Sequence, residues 1–537
     1  MRIDYRKGQK NYSTVRSNKD IRFFLQAENE HFVVRAKANV NLTLNSAKVD
    51  IPFNVNFKDL YFLNGYQSWT DTKEFNLRKR LRNIKKSPHL IVHQFAMDKY
   101  GDSTFYNYSI RRSHGYDVFY SKGKHESFIY NMNYRTAYLL IELVKDNRNI
   151  HLTSMVDGIV LKEGEEITLF DYYFFDNYEE GLKSFQESFP KIKGKEKLFG
   201  YTSWYNYYQN INEEIILRDL DALDSRFNVF QIDDGYETFV GDWLDVDSKK
   251  FPNGLKPIVD KIHSRGFKAG IWLAPFAVET KSKIYQEHKD WLKKGKNGKP
   301  VLAGGNWSRF YALDFENKEA MDYVHKCLKH YMDLGFDFFK LDFLYCIALL
   351  PPKGKSRAQV QYEAYKFLRD VLKDKLILGC GANIISSYEN FDYLRVGPDV
   401  SLIFDDVAFM RMFHRERIST KVTLQNTIYR SIFDKHLFYN DPDVFLLRSD
   451  NIQLSAKQRK ALTTINALFG SVLMTSDDIA TYNSEQKEVL DHALDVFENA
   501  SEITYRTKGK SIDISYKLHD KVYNLIYSTN KGVFTHE

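Results

Sequence analysis

Lys340 and Asp342 interrupt the apolar run FFKLDFLY at 338–345. In an extended strand successive side chains alternate faces, so Phe338, Lys340, Asp342 and Leu344 share one face and the two charges point the same way. A buried charge without a partner is costly. A Lys-x-Asp pair closing an apolar strand is therefore either a structural ion pair or a site open to solvent.

Other apolar runs end in the same manner. Trp204 and Tyr205 follow LFGYTS, Asp233 and Asp234 follow FQI, Trp272 lies in GIWLAPF, and Cys380 and Gly381 lie in LILGCGAN. Arg395 and Asp399 lie in LRVGPDVS, Asp441 and Asp443 in NDPD, Asp477 and Asp478 in TSDD. Singly, an Asp after a strand is a helix cap or turn former, and that reading is kept for Asp405, Asp406, Asp477 and Asp478. Together, carboxylates, a lysine, an arginine and several indole rings supply what a sugar requires: polar groups for fixed hydroxyls and flat apolar surface for its C–H face. Two carboxylates on nonadjacent strands could flank a glycosidic bond, one as nucleophile and one as general acid and base. Carboxylate clusters also hold Mg²⁺ or Mn²⁺, which makes a metal-dependent barrel enzyme the rival reading. The lysine and arginine beside the two key aspartates weigh against it, and neither metal nor cofactor is expected.

Such convergence needs a scaffold. From about residue 198, eight apolar strands alternate with amphipathic segments starting near Asn212, Leu255, Lys318, Ser356, Thr420 and Ser455, the rhythm of a (β/α)₈ TIM barrel whose active sites lie at the C-terminal strand ends. Residues 1–177 read as an antiparallel β-sandwich, from short alternating segments such as HFVVRAKANV and AYLLIELV separated by polar turns. Residues 178–197 read as a helical linker, 198–482 as the catalytic barrel and 483–537 as a small C-terminal antiparallel β domain. The class is α/β.

Composition limits the alternatives. The 537 residues carry 77 basic and 70 acidic side chains, a net charge of +7, and Lys79 to Lys86 is a short basic stretch rather than a block, so nucleic-acid binding gains little support. No apolar run reaches the length of a membrane span, and MRIDYRKGQKNYS lacks the apolar core of a signal peptide; a cytoplasmic, soluble protein is expected. Cys327, Cys346 and Cys380 are the only cysteines, without CxxC or His spacing, and at least two of them read as reduced packing residues.

FQIDDGY with its downstream GDW, then GIWLAPF, FFKLDF, GCGA, RVGPDVS and NDPDVFLLR, together resemble the α-galactosidases of glycoside hydrolase family 36, in the clan shared with families 27 and 31. NGYQSWT at 64–70 extends the resemblance into the N-terminal domain. It implies a retaining exo-α-galactosidase acting on terminal galactose of melibiose- and raffinose-type sugars, with Asp342 as nucleophile and Asp399 as general acid and base. Lys340 would then bind sugar hydroxyls and favour the charged form of its neighbour. Asp233 and Asp234 would hold the O4 and O6 hydroxyls, and Arg395 the O2 and O3 side. Cys380 and Gly381 would form the wall near O2, and Trp204, Trp272 and Trp69 would line the pocket. Asp441 and Asp443 would be structural. An α-N-acetylgalactosaminidase, which needs only more room near O2, and a galactosyl-transferring relative are close alternatives; a noncatalytic sugar-binding protein is a more distant one. The expected partner is the galactoside, with homo-oligomerisation open.

Overall fold

The computed structural model describes residues 1–77, 96–102, 111–145, 148–407, 411 and 418–536; the basic stretch Lys79 to Lys86 lies outside them. At the N-terminal end of the chain a pair of antiparallel sheets face one another. One runs, in spatial order, through Lys10–Thr14, Arg2–Lys7, Leu42–Pro52, Asn149–Met155, Tyr138–Val144 and Arg112–Tyr116, with Val160–Leu161 beside Leu42–Pro52. The other runs through Ile21–Glu28, His31–Ala38, Glu166–Phe175, Ser127–Asn131, Val118–Lys122, Leu60–Leu63 and Lys73–Phe75. Period-two alternation builds the layer between them: in NIHLTSM, Ile150 and Leu152 turn inward and meet Leu44, Val34, Ile141 and Phe170.

The barrel follows. Its eight parallel strands are Leu198–Thr202, Val229–Ile232, Lys268–Leu273, Phe338–Leu341, Leu376–Gly379, Tyr393–Arg395, a divided seventh, and Val472–Thr475. They neighbour one another in sequence order. The seventh is divided by Pro442, which has no N–H to give a ladder: Tyr439–Asp441 pairs with the sixth strand and Val444–Phe445 with the eighth, which pairs in turn with the first. Those two halves close the circle, and the interruption brings Asp441 and Asp443 side by side. The barrel helices are capped as their sequences ask, Asn317 opening Lys318–Leu334 and Ser356 with Gln359 forming a capping box for Arg357–Leu372.

Two units depart from the simple rhythm. After the third strand the chain makes a small sheet from Ala277–Glu279, Phe310–Ala312 and Leu302–Gly304 before its helix begins. After the fifth strand there is no α-helix, only a 3₁₀ turn at Ile385–Ser387, and onto this stretch the NGYQSWT segment docks. Ser68 N donates to Ala382 O at 2.9 Å, and Asn383 Nδ2 to Tyr66 O at 2.7 Å. Helix Ser484–Asn499 packs on the preceding barrel helix, Ala456–Phe469, and a four-stranded antiparallel meander, Ser501–Lys508 to Val533–His536, ends the chain.

Arg430, fully buried, holds the docked segment. Its guanidinium donates to Asn64 Oδ1 at 3.1 Å and to the carbonyls of Ser68, Val396, Gln67 and Gly65 at 2.6, 2.7, 3.0 and 3.3 Å. The planar fork thus serves five oxygens at once, which an ammonium group does not reproduce. Replacing Arg430 by Lys should leave several of these oxygens buried without a donor, at about 1–3 kcal/mol each. The expected outcome is a clearly lower urea midpoint; an unchanged midpoint would mean that the docking is held elsewhere.

Candidate active site

The C-terminal ends of the barrel strands bring most of the expected residues to one mouth. Lys340 Nζ does not pair with Asp342. It lies 2.8 Å from Asp233 Oδ2, both side chains nearly fully buried. Asp233 is further fixed by Gln231 Nε2 at 2.5 Å and Thr202 Oγ1 at 3.1 Å, while its Oδ1 accepts from Asp234 N at 3.0 Å. Burial pulls the lysine's pKa down, but the Asp233 carboxylate outweighs this and leaves it above its ordinary value. The fourth strand's lysine is therefore a tie to the second strand.

Asp342 is held from two sides. Trp272 Nε1 donates to Oδ2 at 3.1 Å, and the backbone N–H of Phe343 donates to Oδ1 at 2.7 Å. Phe343 itself sits in the left-handed region, φ 53° and ψ 31°, an unusual place for a bulky residue, and from it donates that N–H to the carboxylate. Trp272, expected as a lining ring, is thus a hydrogen-bond donor to Asp342 as well, its indole packed 5.7 Å from that of Trp243.

Asp399, four residues beyond Arg395, has 35% of its side chain exposed. Arg395, expected to face the sugar, spends its fork on carboxylates: Nη1 to Asp399 at 3.0 Å, Nε to Asp441 at 3.0 Å and Nη2 to Asp443 at 2.8 Å. The expectation of a structural role for Asp441 and Asp443 acquires its physical content here, since they anchor the arginine that holds Asp399. Enclosure by the mouth walls pushes the Asp399 carboxyl upward; Arg395 opposes this and the charge of Asp342 adds to it. Burial also pushes Asp443 up to about 7, and Tyr205, fully enclosed, donates its hydroxyl to Asp443 Oδ2 at 2.5 Å.

Asp234 forms a third group. It accepts from Gln209 Nε2 at 3.0 Å and from Trp307 Nε1 at 2.9 Å, and burial lifts its pKa against these hydrogen bonds. Glu237, buried beside it, is pushed well above the usual carboxylate range by burial and by the Asp234 charge. Gln209, Trp307 and Glu237 were not expected from the sequence. The only signal for Trp307 is an indole set among Gly304, Gly305, Asn306 and Ser308, a loop composition in which a large ring has no core to fill.

Trp69 arrives from the N-terminal domain, its ring centroid 5.3 Å from Phe343 and 5.7 Å from Tyr345. Gly381 permits this: φ is +61°, and a Cβ there would stand 3.0 Å from the indole. Trp69 Nε1 is buried and meets no acceptor among the described residues. The Cys380 thiol is buried and pushed well above its ordinary pKa by burial and by Asp342, so it is an inert wall. Trp204 lies at the rim, part-buried, against Tyr208. Asp478 caps a 3₁₀ turn, as a cap residue does, whereas Asp477 is a fully buried ion-pair partner of Arg448 that also accepts from the backbone of Leu447, so the turn-former reading does not hold for it.

The melibiase family model matches residues 190–373, a span that contains Asp233, Asp234, Trp272, Lys340 and Asp342 but ends before Cys380, Arg395 and Asp399. Among characterised proteins the chain is 26% identical over 182 residues to an α-galactosidase of Escherichia coli and 30% identical over 149 residues to α-galactosidase Mel36A of Lactobacillus acidophilus. These alignments cover 32% and 26% of this chain and 25% and 20% of the relatives, so the matched region spans about a quarter of their length or less. An α-galactosidase structure from Thermus thermophilus, solved with p-nitrophenyl α-D-galactopyranoside, superposes with a TM-score of 0.71 at 24% identity, covering 94% of this chain and 96% of that one. It shares the fold.

If Trp272 holds Asp342 as its contact shows, Trp272→Phe, which keeps the ring and removes the donor, should cost about 1–3 kcal/mol of stability, the penalty for a buried acceptor left without its donor. Urea unfolding measures this; an unchanged midpoint would make the 3.1 Å contact energetically silent.

Proposed function

From the premise of a melibiase segment on a barrel built as in the family 36 α-galactosidases, we propose that this chain is a retaining exo-α-galactosidase. The observation that carries the reading is the contrast between its two carboxylates. Asp342 accepts two hydrogen bonds, from Trp272 Nε1 and the Phe343 backbone N–H, that fix its orientation. Asp399, with 35% of its side chain exposed, has its pKa raised, the disposition of a proton donor.

In the first step Asp399 protonates the glycosidic oxygen as Asp342 attacks the anomeric carbon from the other face, giving a β-linked galactosyl-enzyme. In the second, Asp399, now a carboxylate, takes a proton from water, which displaces Asp342 and restores the α configuration. Arg395 keeps Asp399 in place through both changes of charge. Asp233 and Asp234, on the second strand, are the groups for the hydroxyls remote from the reacting bond. The closeness of the Trp69 ring to Gly381 leaves little room on that wall, which supports galactose over its N-acetylated counterpart.

Asp342→Asn should lower turnover of α-galactosides by more than about a thousandfold while the fold is kept; near-native rates would remove Asp342 from the nucleophile's role. Proton NMR during the first minutes of hydrolysis should show α-galactose before mutarotation, and β-galactose appearing first would refute double displacement. The pH profile follows from Asp399. The acid form is the active one, and a raised pKa keeps it protonated to higher pH, so the alkaline limb of kcat/KM should lie above the ordinary carboxylate range near about 4. Asp399→Asn should abolish that limb.

A further inference from the structure

The loop after the first barrel strand, residues 204–210, is pinned at both ends of the site. At one end Tyr205 donates to Asp443 in the group around Asp399, and Arg448 Nη2 donates to Tyr205 O at 2.8 Å. At the other, Gln209 Nε2 donates to Asp234, and Lys250 Nζ bridges Gln209 O at 2.7 Å and Gly235 O at 3.0 Å. Between these anchors Tyr208 adopts φ 50° and ψ −134°, a conformation that side chains other than glycine's rarely enter and that persists only where the surroundings enforce it. Its N–H is held by Trp204 O at 2.8 Å. The strain has a visible product: the Tyr208 ring is 40% exposed, and it meets the part-buried Trp204 edge to face, centroids 5.2 Å apart at 89°. An aromatic pair with one exposed ring thus stands on a loop that Tyr205 ties to Asp443, which shares the Arg395 guanidinium with Asp399.

We infer that Trp204 and Tyr208 form the seat of the leaving-group sugar, a hexopyranosyl ring whose C–H face packs on the aromatic pair while Asp399 protonates its bridging oxygen. The inference rests on the hydrolase reading above and extends it, since the groups around Asp233 and Asp342 address the galactosyl ring and leave its substituent without a partner. Strain at Tyr208 is the structural cost of turning a ring toward solvent instead of into the core.

The test compares melibiose, whose leaving group is a hexose, with methyl α-galactoside, whose leaving group is methanol. Tyr208→Gly removes the ring and relieves the backbone strain together; Tyr208→Ala removes the ring alone; Tyr208→Phe keeps the ring. The Gly and Ala variants should lose about three- to tenfold in kcat/KM on melibiose, chiefly through KM, and less than about twofold on methyl α-galactoside, the scale of one aromatic contact. Tyr208→Phe should stay near wild type. The inhibition constant of free galactose should not move in any variant, which reports an intact galactosyl site. Equal losses on both substrates, no loss on melibiose, or a loss in Ala absent from Gly would each overturn the seat. A wild-type protein inert toward both galactosides overturns the hydrolase reading and the inference with it, whereas turnover of both with an unchanged ratio in the variants overturns the inference alone.

Discussion

Two cations set deep in the barrel mouth govern everything around them. Lys340 and Arg395 are both nearly fully buried, and an uncompensated charge at such depth costs more than a domain's whole margin of stability. Each therefore dictates where carboxylates must stand. Lys340 fixes Asp233, and through it the second strand's end; Arg395 fixes Asp441, Asp443 and Asp399, on the sixth and seventh strands. The carboxylates proposed to react are a member of one cluster, Asp399, and a neighbour of the other, Asp342. Asp399 stands at the exposed edge of the Arg395 group.

The second dependence runs between domains. The barrel alone carries Asp342 and Asp399, yet the wall beside Asp342 is completed by an indole from residue 69. That indole stands where it does because the fifth unit has no α-helix to obstruct the approach, because Gly381 has no Cβ, and because Arg430 gathers the carbonyls of the approaching loop. Removing any of these three conditions moves the ring without touching a barrel carboxylate.

Much of this was legible in the sequence, for a physical reason: each barrel strand is a short apolar run whose polar residues crowd its C-terminal end, so order along the chain maps onto position around the mouth. Asp342, Asp399, Asp233 and Asp234 stand at that mouth, as their places after the apolar runs implied. What the sequence did not carry was pairing. Lys340 is two residues from Asp342 and on its face, yet it bonds to Asp233, more than a hundred residues away; Arg395 turned to carboxylates and not toward the open mouth. Such choices depend on distances across the barrel, which no local pattern encodes. Trp307 escaped for another reason. It lies in an insertion whose strands are three residues long, too short to show a period.

The docking of the NGYQSWT loop also has a consequence in time. Its partners, Ala382, Asn383, Asn426 and Arg430, follow it by more than three hundred residues. On a ribosome adding about 5–20 residues per second, roughly twenty to seventy seconds separate the emergence of Trp69 from that of Arg430. For that interval a loop destined for burial, with its indole, tyrosine and bare carbonyls, must be carried by a sandwich that has nothing yet to set it against. The site is thus assembled last to first: the earliest residue synthesised is among the latest to reach its place.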